Sequence, residues 1–79
     1  MKARVIVTLK PAVFDPQGKA IEGALRSLDI EGVKAVRQGK IFDIEIDSED
    51  RDGARAMLGE ACERLLANTI VENYAIEIA

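Results

Sequence analysis

The first ten positions alternate between apolar and polar residues, which is the pattern of a half-buried β-strand. We predict a strand over residues 2–10, with Val5, Val7 and Leu9 on its buried side. Pro11 ends this strand, because proline has no N–H to donate to a neighbouring strand. The chain therefore opens with a strand that stops at a turn.

A helix is predicted after this turn, over residues 16–28. Asp15 can accept hydrogen bonds from the free N–H groups of the first helical turn, and Pro16 suits the first helical position. Apolar residues then recur on one helical face, at Ala20, Ile21, Ala24, Leu25 and Leu28. The pattern indicates a well-defined strand-to-helix connection.

Strand-like alternation returns in three later segments, over residues 33–38, 41–47 and 70–78. Gly39 lies between the first two, and its flexible backbone favours a tight hairpin connection there. These segments predict three more strands.

A second helix is predicted over residues 50–67. The acidic residues before it suit the positive end of a helix dipole, and either Asp47 or Ser48 could serve as the cap. Glu60 and Arg64 have the spacing of an ion pair on the outer face. The apolar face has no gap: Ala54, Met57, Leu58, Ala61, Cys62, Leu65 and Leu66.

The element order is β-α-β-β-α-β, which predicts an α+β fold of the ferredoxin-like split type, a four-stranded antiparallel sheet with two helices on one face. In its usual layout the first strand lies between the third and the fourth. Arg4 and Lys10 would then lie among the carboxylates of Asp43, Glu45 and Glu77, where opposite charges on adjacent strands are favourable.

The chain has 79 residues, which predicts a single domain over residues 1–79 with a small core. The sheet face away from the helices mixes these charges with Ile6, Ile41 and Ala75. Because so small a core gains from being covered, we expect another subunit to lie on this face.

The formal net charge is −3 and no run of Lys or Arg exists, which argues against nucleic acid as a partner. No stretch of 18 apolar residues is present, and residues 1–4 lead into a strand rather than a signal peptide. We expect a soluble, cytoplasmic protein that binds neither nucleic acid nor membrane.

A catalytic set is hard to assemble from these residues. Histidine is absent, and Cys62 lies on the apolar face of the second helix. The acidic run over residues 47–52 is explained by the helix start and lacks the glycine and final glutamate of a calcium loop. Residues 17–19, Gln-Gly-Lys, are a weak anion-binding signal. We expect no catalytic, cofactor or metal site.

Three other ferredoxin-like classes have sequence signatures that this chain lacks. An RNA-recognition domain would carry aromatic residues on its central strands, but Phe42 stands alone and in the core register. A copper-chaperone-like domain would carry Cys-x-x-Cys in the loop over residues 11–15, and an acylphosphatase-like enzyme would carry an arginine there. Neither signature is present.

Four segments, in order, resemble one known family. Residues 7–21 are similar to its motif V-T-L-K-P-x-V-x-D-P-Q-G-x-A-I, and residues 31–40 to E-G-V-x-x-V-R-x-G-K. Residues 61–68 resemble A-C-E-K-L-L-A-N, and residues 70–78 resemble V-I-E-x-Y-x-I-E. This family is the PurS-type small subunit of phosphoribosylformylglycinamidine synthase; Thr69 departs from it, standing where proline is common.

The resemblance implies a non-catalytic subunit of an ATP-dependent, glutamine-using ligase of purine biosynthesis. Such a subunit bridges a large synthetase subunit and a glutaminase subunit, so that ammonia reaches formylglycinamide ribonucleotide. It implies a homodimer or a dimer of dimers, with ATP and Mg used by the synthetase partner and no cofactor on this chain.

Residues outside the predicted core on the family-like segments are the candidates for contact with these partners. In the first loop and the hairpin they are Lys10, Asp15, Gln17, Gly18, Arg37, Gly39 and Lys40. Each also has a structural interpretation, as a cap, a backbone device or a solvated charge.

Two other functions stay open. One is a regulatory module that dimerises through its sheet and binds a small molecule at the seam. The other is a stand-alone enzyme, which predicts turnover by the isolated chain.

Overall fold

A computed structural model describes all residues, Met1–Ala79. Its elements in chain order are β1 (Lys2–Leu9), α1 (Pro16–Ser27), β2 (Gly39–Glu45), α2 (Arg51–Ala61) and β3 (Glu72–Ile78). A π-helical turn, Cys62–Leu66, extends α2. The fold is α+β, as predicted, with two helices and one antiparallel sheet.

The three strands form a sheet in the order β2-β1-β3, with β1 antiparallel to both neighbours. The register places Arg4 opposite Asp43 on one side and Glu77 on the other. Arg4 Nε donates to Asp43 Oδ1 at 2.8 Å, as the charge pattern predicted. Lys10 differs from the prediction, because its Nζ donates to the amide oxygen of Asn73 rather than to a carboxylate.

The core lies between the inner face of the sheet and α2. Val5 and Val7 of β1 are fully buried there, and Leu58 and Cys62 face them from the helix. Half-buried Tyr74 of β3 packs against the same cluster. The prediction of alternating strands against an apolar helix face is therefore confirmed for β1 and α2.

Two details of α2 differ from the predictions. Its N-cap is Asp50, whose carboxylate accepts from Gly53 N at 3.1 Å, while Ser48 Oγ accepts from Asp50 N. The π-helical turn changes the helical period, so that Leu65 is 82% exposed instead of joining the core. Arg64, one residue earlier, does form the predicted ion pair with Glu60 at 3.0 Å.

The sheet has three strands and not four, because residues 33–38 do not form a strand of it. The prediction of a strand there is wrong. The N–H groups of Val36 and Gln38 donate to the carboxylates of Glu22 and Asp15, so they are not available to a strand partner. The segment does not pair with β2 as a hairpin would, and these hydrogen bonds hold it to the start and the first turns of α1.

The prediction that both helices cover one sheet face is also wrong within a single chain. Helix α1 does not pack on the strands, and the molecule measures 48 × 25 × 15 Å. Its radius of gyration is 15.9 Å, whereas a compact domain of this length has about 12 Å. Ile21 is 37% exposed and Leu28 is 69% exposed. The apolar face of α1 is therefore largely uncovered.

Candidate partner interface

The seven candidate residues meet at one end of the sheet, where the end of β1, the start of α1 and the start of β2 come together. We call this place the junction: the loop over residues 10–18 and the segment over residues 36–40. A small cavity of about 170 Å³ opens there, lined by Val7, Leu9, Asp15, Gln17, Gln38, Gly39, Lys40 and Glu72. The sequence analysis placed these residues on two separate segments, and the structure brings the two segments together.

Asp15 is the buried centre of the junction, with 4% of its surface exposed. Its Oδ1 accepts from Gly18 N at 2.9 Å, which is the predicted helix cap. Its Oδ2 accepts from Gln38 N at 2.8 Å, which ties the helix start to the chain entering β2. The hydrogen bonds from Gln38 and Gly18 favour the ionised form and lower the pKa of Asp15.

Glu22 is a second buried carboxylate at the junction that the sequence did not reveal. Its Oε2 accepts from Val36 N at 3.0 Å, and its Oε1 lies 3.4 Å from Lys19 Nζ. The hydrogen bond from Val36 is the main cause that lowers the pKa of Glu22. Because its partner lies fourteen residues away along the chain, no local pattern marks it.

The two candidate glycines are explained by close backbone approach. A Cβ on Gly18 would lie 2.3 Å from the carbonyl oxygen of Val36, and one on Gly39 would lie 2.6 Å from that of Val7. Any side chain at either position would force the junction apart.

Two of the positively charged candidates, Arg37 and Lys40, are exposed and are held by contacts with neighbouring residues. Arg37 Nη2 donates to the carbonyl oxygen of Lys10 at 3.0 Å. Lys40 Nζ lies 3.4 Å from Glu72, whose other carboxylate oxygen accepts from Asn68 N at 2.6 Å. The hydrogen bond from Asn68 is the main cause that lowers the pKa of Glu72. The side chains of Arg37 and Lys40 thus place positive charge on the surface of the junction.

Gln17 completes the junction, since its side-chain oxygen accepts from the amide of Gln38. All seven candidates therefore either hold the junction together or border it. Chemically, the arrangement fixes the position of one backbone segment on another and presents positive charge outside.

Other chemical groups lie away from the junction. No group of three or more His, Cys, Asp or Glu residues is placed to hold a metal ion. Cys62 is fully buried, and burial raises the pKa of its thiol. Neither helix has the length and apolar composition that a membrane-crossing segment requires.

A family model described as PurS, phosphoribosylformylglycinamidine (FGAM) synthase, matches residues 2–79. The chain belongs to the PurS family. The subunit PurS of phosphoribosylformylglycinamidine synthase from Bacillus subtilis is 44% identical over 77 residues, which span 98% of this chain and 90% of that protein. The family that the four sequence segments resemble is thereby confirmed.

Solved PurS structures have the same fold. The Bacillus subtilis PurS structure superposes with a TM-score of 0.85 at 45% identity, over 96% of this chain and 94% of that one. A chain in the structure named PurLQS from Thermotoga maritima superposes with a TM-score of 0.88 at 36% identity, over 96% and 93% of the two chains. The elongated three-stranded architecture is thus similar to that of chains solved in this family.

Proposed function

We propose that this chain is the small, non-catalytic subunit of phosphoribosylformylglycinamidine synthase and bridges the synthetase and glutaminase subunits. Membership of the PurS family carries the proposal. The name PurLQS of the Thermotoga maritima structure supports it, because that name describes PurS together with other components. At the junction no nucleophile stands beside a base, which suits a positioning role rather than a catalytic one.

Positioning has a chemical purpose in such a ligase. Ammonia released from glutamine is protonated in bulk water and then no longer attacks as a nucleophile. A subunit that docks two active sites close together favours direct transfer to formylglycinamide ribonucleotide. In this proposal the synthetase partner uses ATP and Mg, this chain binds no cofactor, and the complex works in the cytoplasm.

The proposal includes self-association, as a homodimer or a dimer of dimers. Its support is the uncovered apolar face of α1, together with the elongated shape of the single chain. A single chain of this length rarely leaves one of its two helices without a packing partner, because little other apolar surface remains to stabilise it.

Partner contact is proposed for the positive side chains at the junction, those of exposed Arg37 and Lys40 and of half-buried Lys10. Buried Asp15 and Gly18 support this surface from inside, and exposed Gly39 stays a candidate contact. Gln17 borders it through its bond to Gln38.

The test is the glutamine-dependent synthetase assay with the two larger subunits, with and without this chain. We expect activity only when the chain is added, and co-elution of all three proteins. Equal glutamine-dependent activity without the chain would overturn the bridging proposal. An ammonia-dependent assay of the synthetase subunit alone is the control, because it does not need the bridge.

A second candidate function is a small-molecule-binding module. A wide-mouthed cavity of about 890 Å³ at the other end of the sheet favours it, with Arg4, Asp43 and Glu77 among its lining residues. Thermal stabilisation of the isolated chain by glutamine or a nucleotide would support this function. No stabilisation by either, with activity restored in the three-subunit assay, would remove it.

A further inference from the structure

Strand β3 forms one edge of the sheet, so half of its backbone groups point away from β1. Ala79 N donates to the carbonyl oxygen of Lys2 at 3.0 Å, which sets the phase of the β1–β3 ladder. In an antiparallel ladder alternate residues of a strand bond to the same neighbour. The odd-numbered residues of β3 therefore bond to β1. The residues that point their N–H and C=O groups outward include Tyr74, Ile76 and Ile78.

Two arginines of α2 bind the carbonyl oxygens at this edge. Arg51 Nη2 donates to the carbonyl oxygen of Ile78 at 3.0 Å, and its Nη1 donates to that of Ala79 at 2.8 Å. Arg55 Nη1 donates to the carbonyl oxygen of Ile76 at 3.3 Å. The helix thus occupies acceptors that a further strand would need.

The spacing of these arginines matches the spacing of the strand. Residues four apart lie about 6 Å apart along an α-helix, and alternate residues of an antiparallel strand lie about 6.8 Å apart. Arg51 and Arg55 therefore reach two successive outward carbonyl oxygens, those of Ile78 and Ile76. Leu58 lies one helical turn after Arg55 and is buried against the sheet, so the packing of α2 holds this arginine beside β3.

The start of the β3 edge is closed by the preceding turn. Glu72 N donates to the carbonyl oxygen of Asn68 at 2.7 Å, and Glu72 Oε1 accepts from Asn68 N at 2.6 Å. Glu72 is even-numbered, so its N–H group belongs to the outward set. The turn and the two arginines therefore cover opposite ends of the same edge.

We propose that Arg51 and Arg55 keep the β3 edge closed to strand addition, and that without them β3 of a second copy of the chain pairs with this edge. An added strand would place an N–H nitrogen about 2.9 Å from each outward carbonyl oxygen. A guanidinium nitrogen already lies at that distance from Ile78, so the added strand would have to displace it.

Positive charge adds to this effect. Two β3 edges paired about a two-fold axis would bring Arg51 and Arg55 of one copy towards the same two residues of the other. Four guanidinium groups would then lie along one seam, and like charges on adjacent strands are unfavourable. Charged side chains at an edge are a common protection against edge-to-edge pairing.

The strand itself carries little protection of its own. Residues 72–78 include neither proline nor lysine, the residues that most often protect an exposed edge. Ile76 and Ile78 are β-branched and favour pairing with another strand. The features that oppose pairing at this edge therefore come from α2.

Sedimentation of the full chain over a range of concentrations tests the proposal. We expect Arg51→Ala with Arg55→Ala to form species of at least about twice the native mass at the same concentration. Arg26→Ala with Arg64→Ala is the matched control, because it removes the same charge from two exposed helical arginines that lie away from β3. The control should sediment as the native chain does.

Amide hydrogen exchange identifies where the larger species join. We expect the N–H groups of Tyr74, Ile76 and Ile78 to exchange about tenfold more slowly in the assembled variant, because an added strand gives them acceptors. Larger species without this protection would overturn the proposal, as would an unchanged mass or an equal increase in the control.

A single substitution keeps the test decisive if the double variant loses its native circular dichroism. Arg55→Ala uncovers the middle of the edge and leaves Arg51 in place. We expect a smaller increase in mass with the same protection of Ile76, and a folded single variant that sediments as the native chain does would overturn the proposal. These outcomes do not depend on the bridging role, which the synthetase assay tests separately.

Discussion

Asp15 and Asp50 are the N-caps of the two helices, but Asp15 also binds a second segment of the chain. Asp50 caps its own helix, whereas Asp15 also accepts from Gln38 N at 2.8 Å. We expect Asp50→Ala to cost about 1 kcal/mol, as for an ordinary cap, and Asp15→Ala to cost more, because it also leaves the part-buried N–H group of Gln38 without its acceptor. Urea unfolding of both variants measures this difference, and equal losses would contradict it.

Acid should weaken the junction through the same carboxylates. The pKa values of Asp15 and Glu22 are lowered in the folded chain, so their stabilisation is present above their unfolded pKa values, near pH 4, and is lost as the pH falls through the folded values. We expect the free energy of unfolding to decrease as the pH is lowered below about 4. A variant with Asp15→Asn and Glu22→Gln should be less stable at pH 7 and lose less on acidification; an unchanged pH slope would contradict this role.

At the scale of one element, α2 should contribute most of the core energy. Leu58 is 1% exposed, whereas Met57 on the same helix is 45% exposed. Leu58→Ala should cost about 2–5 kcal/mol through lost burial and a cavity. Met57→Ala is the matched control and should cost clearly less in the isolated chain. A loss below about 0.5 kcal/mol for Leu58→Ala would contradict the placement of this helix face.

An element could be predicted from the sequence when the residues that determine it lie close together along the chain. The cap of α1 was predictable because Asp15 and Gly18 are three residues apart. The segment over residues 33–38 was predicted as a strand of this sheet, but an alternating pattern does not specify which strand, if any, lies beside it. Leu65 was placed in the core because a strict helical period does not anticipate a π-helical turn.

The candidate site shows the same limit. Segment resemblance selected residues that the structure brings together, but Glu22 was missed because its bond to Val36 depends on how the chain returns after the helix. Gly39 was recognised as a backbone device, yet the contact that requires it, with the Val7 carbonyl oxygen, is visible only in the fold.

At the scale of the whole molecule, charge at the junction should govern assembly with the partners. Replacing Arg37 and Lys40 together by Glu should leave the helical circular dichroism unchanged, because both side chains are exposed. The same variant should weaken co-elution with the larger subunits by tenfold or more. Lys2→Glu with Lys34→Glu is the control, with the same charge change outside the junction. Unchanged co-elution of the first variant would place the partner surface elsewhere.

The position of Tyr74 decides what optical experiments on this protein report. It is the single tyrosine of a chain without tryptophan, and it packs against the core cluster with the carboxylate of Glu63 beside its hydroxyl. Intrinsic fluorescence therefore follows the contact of β3 with α2 and carries no signal from α1. A denaturation curve recorded by emission alone would describe the sheet and its helix, and detachment of α1 would pass undetected unless far-ultraviolet dichroism were recorded on the same sample.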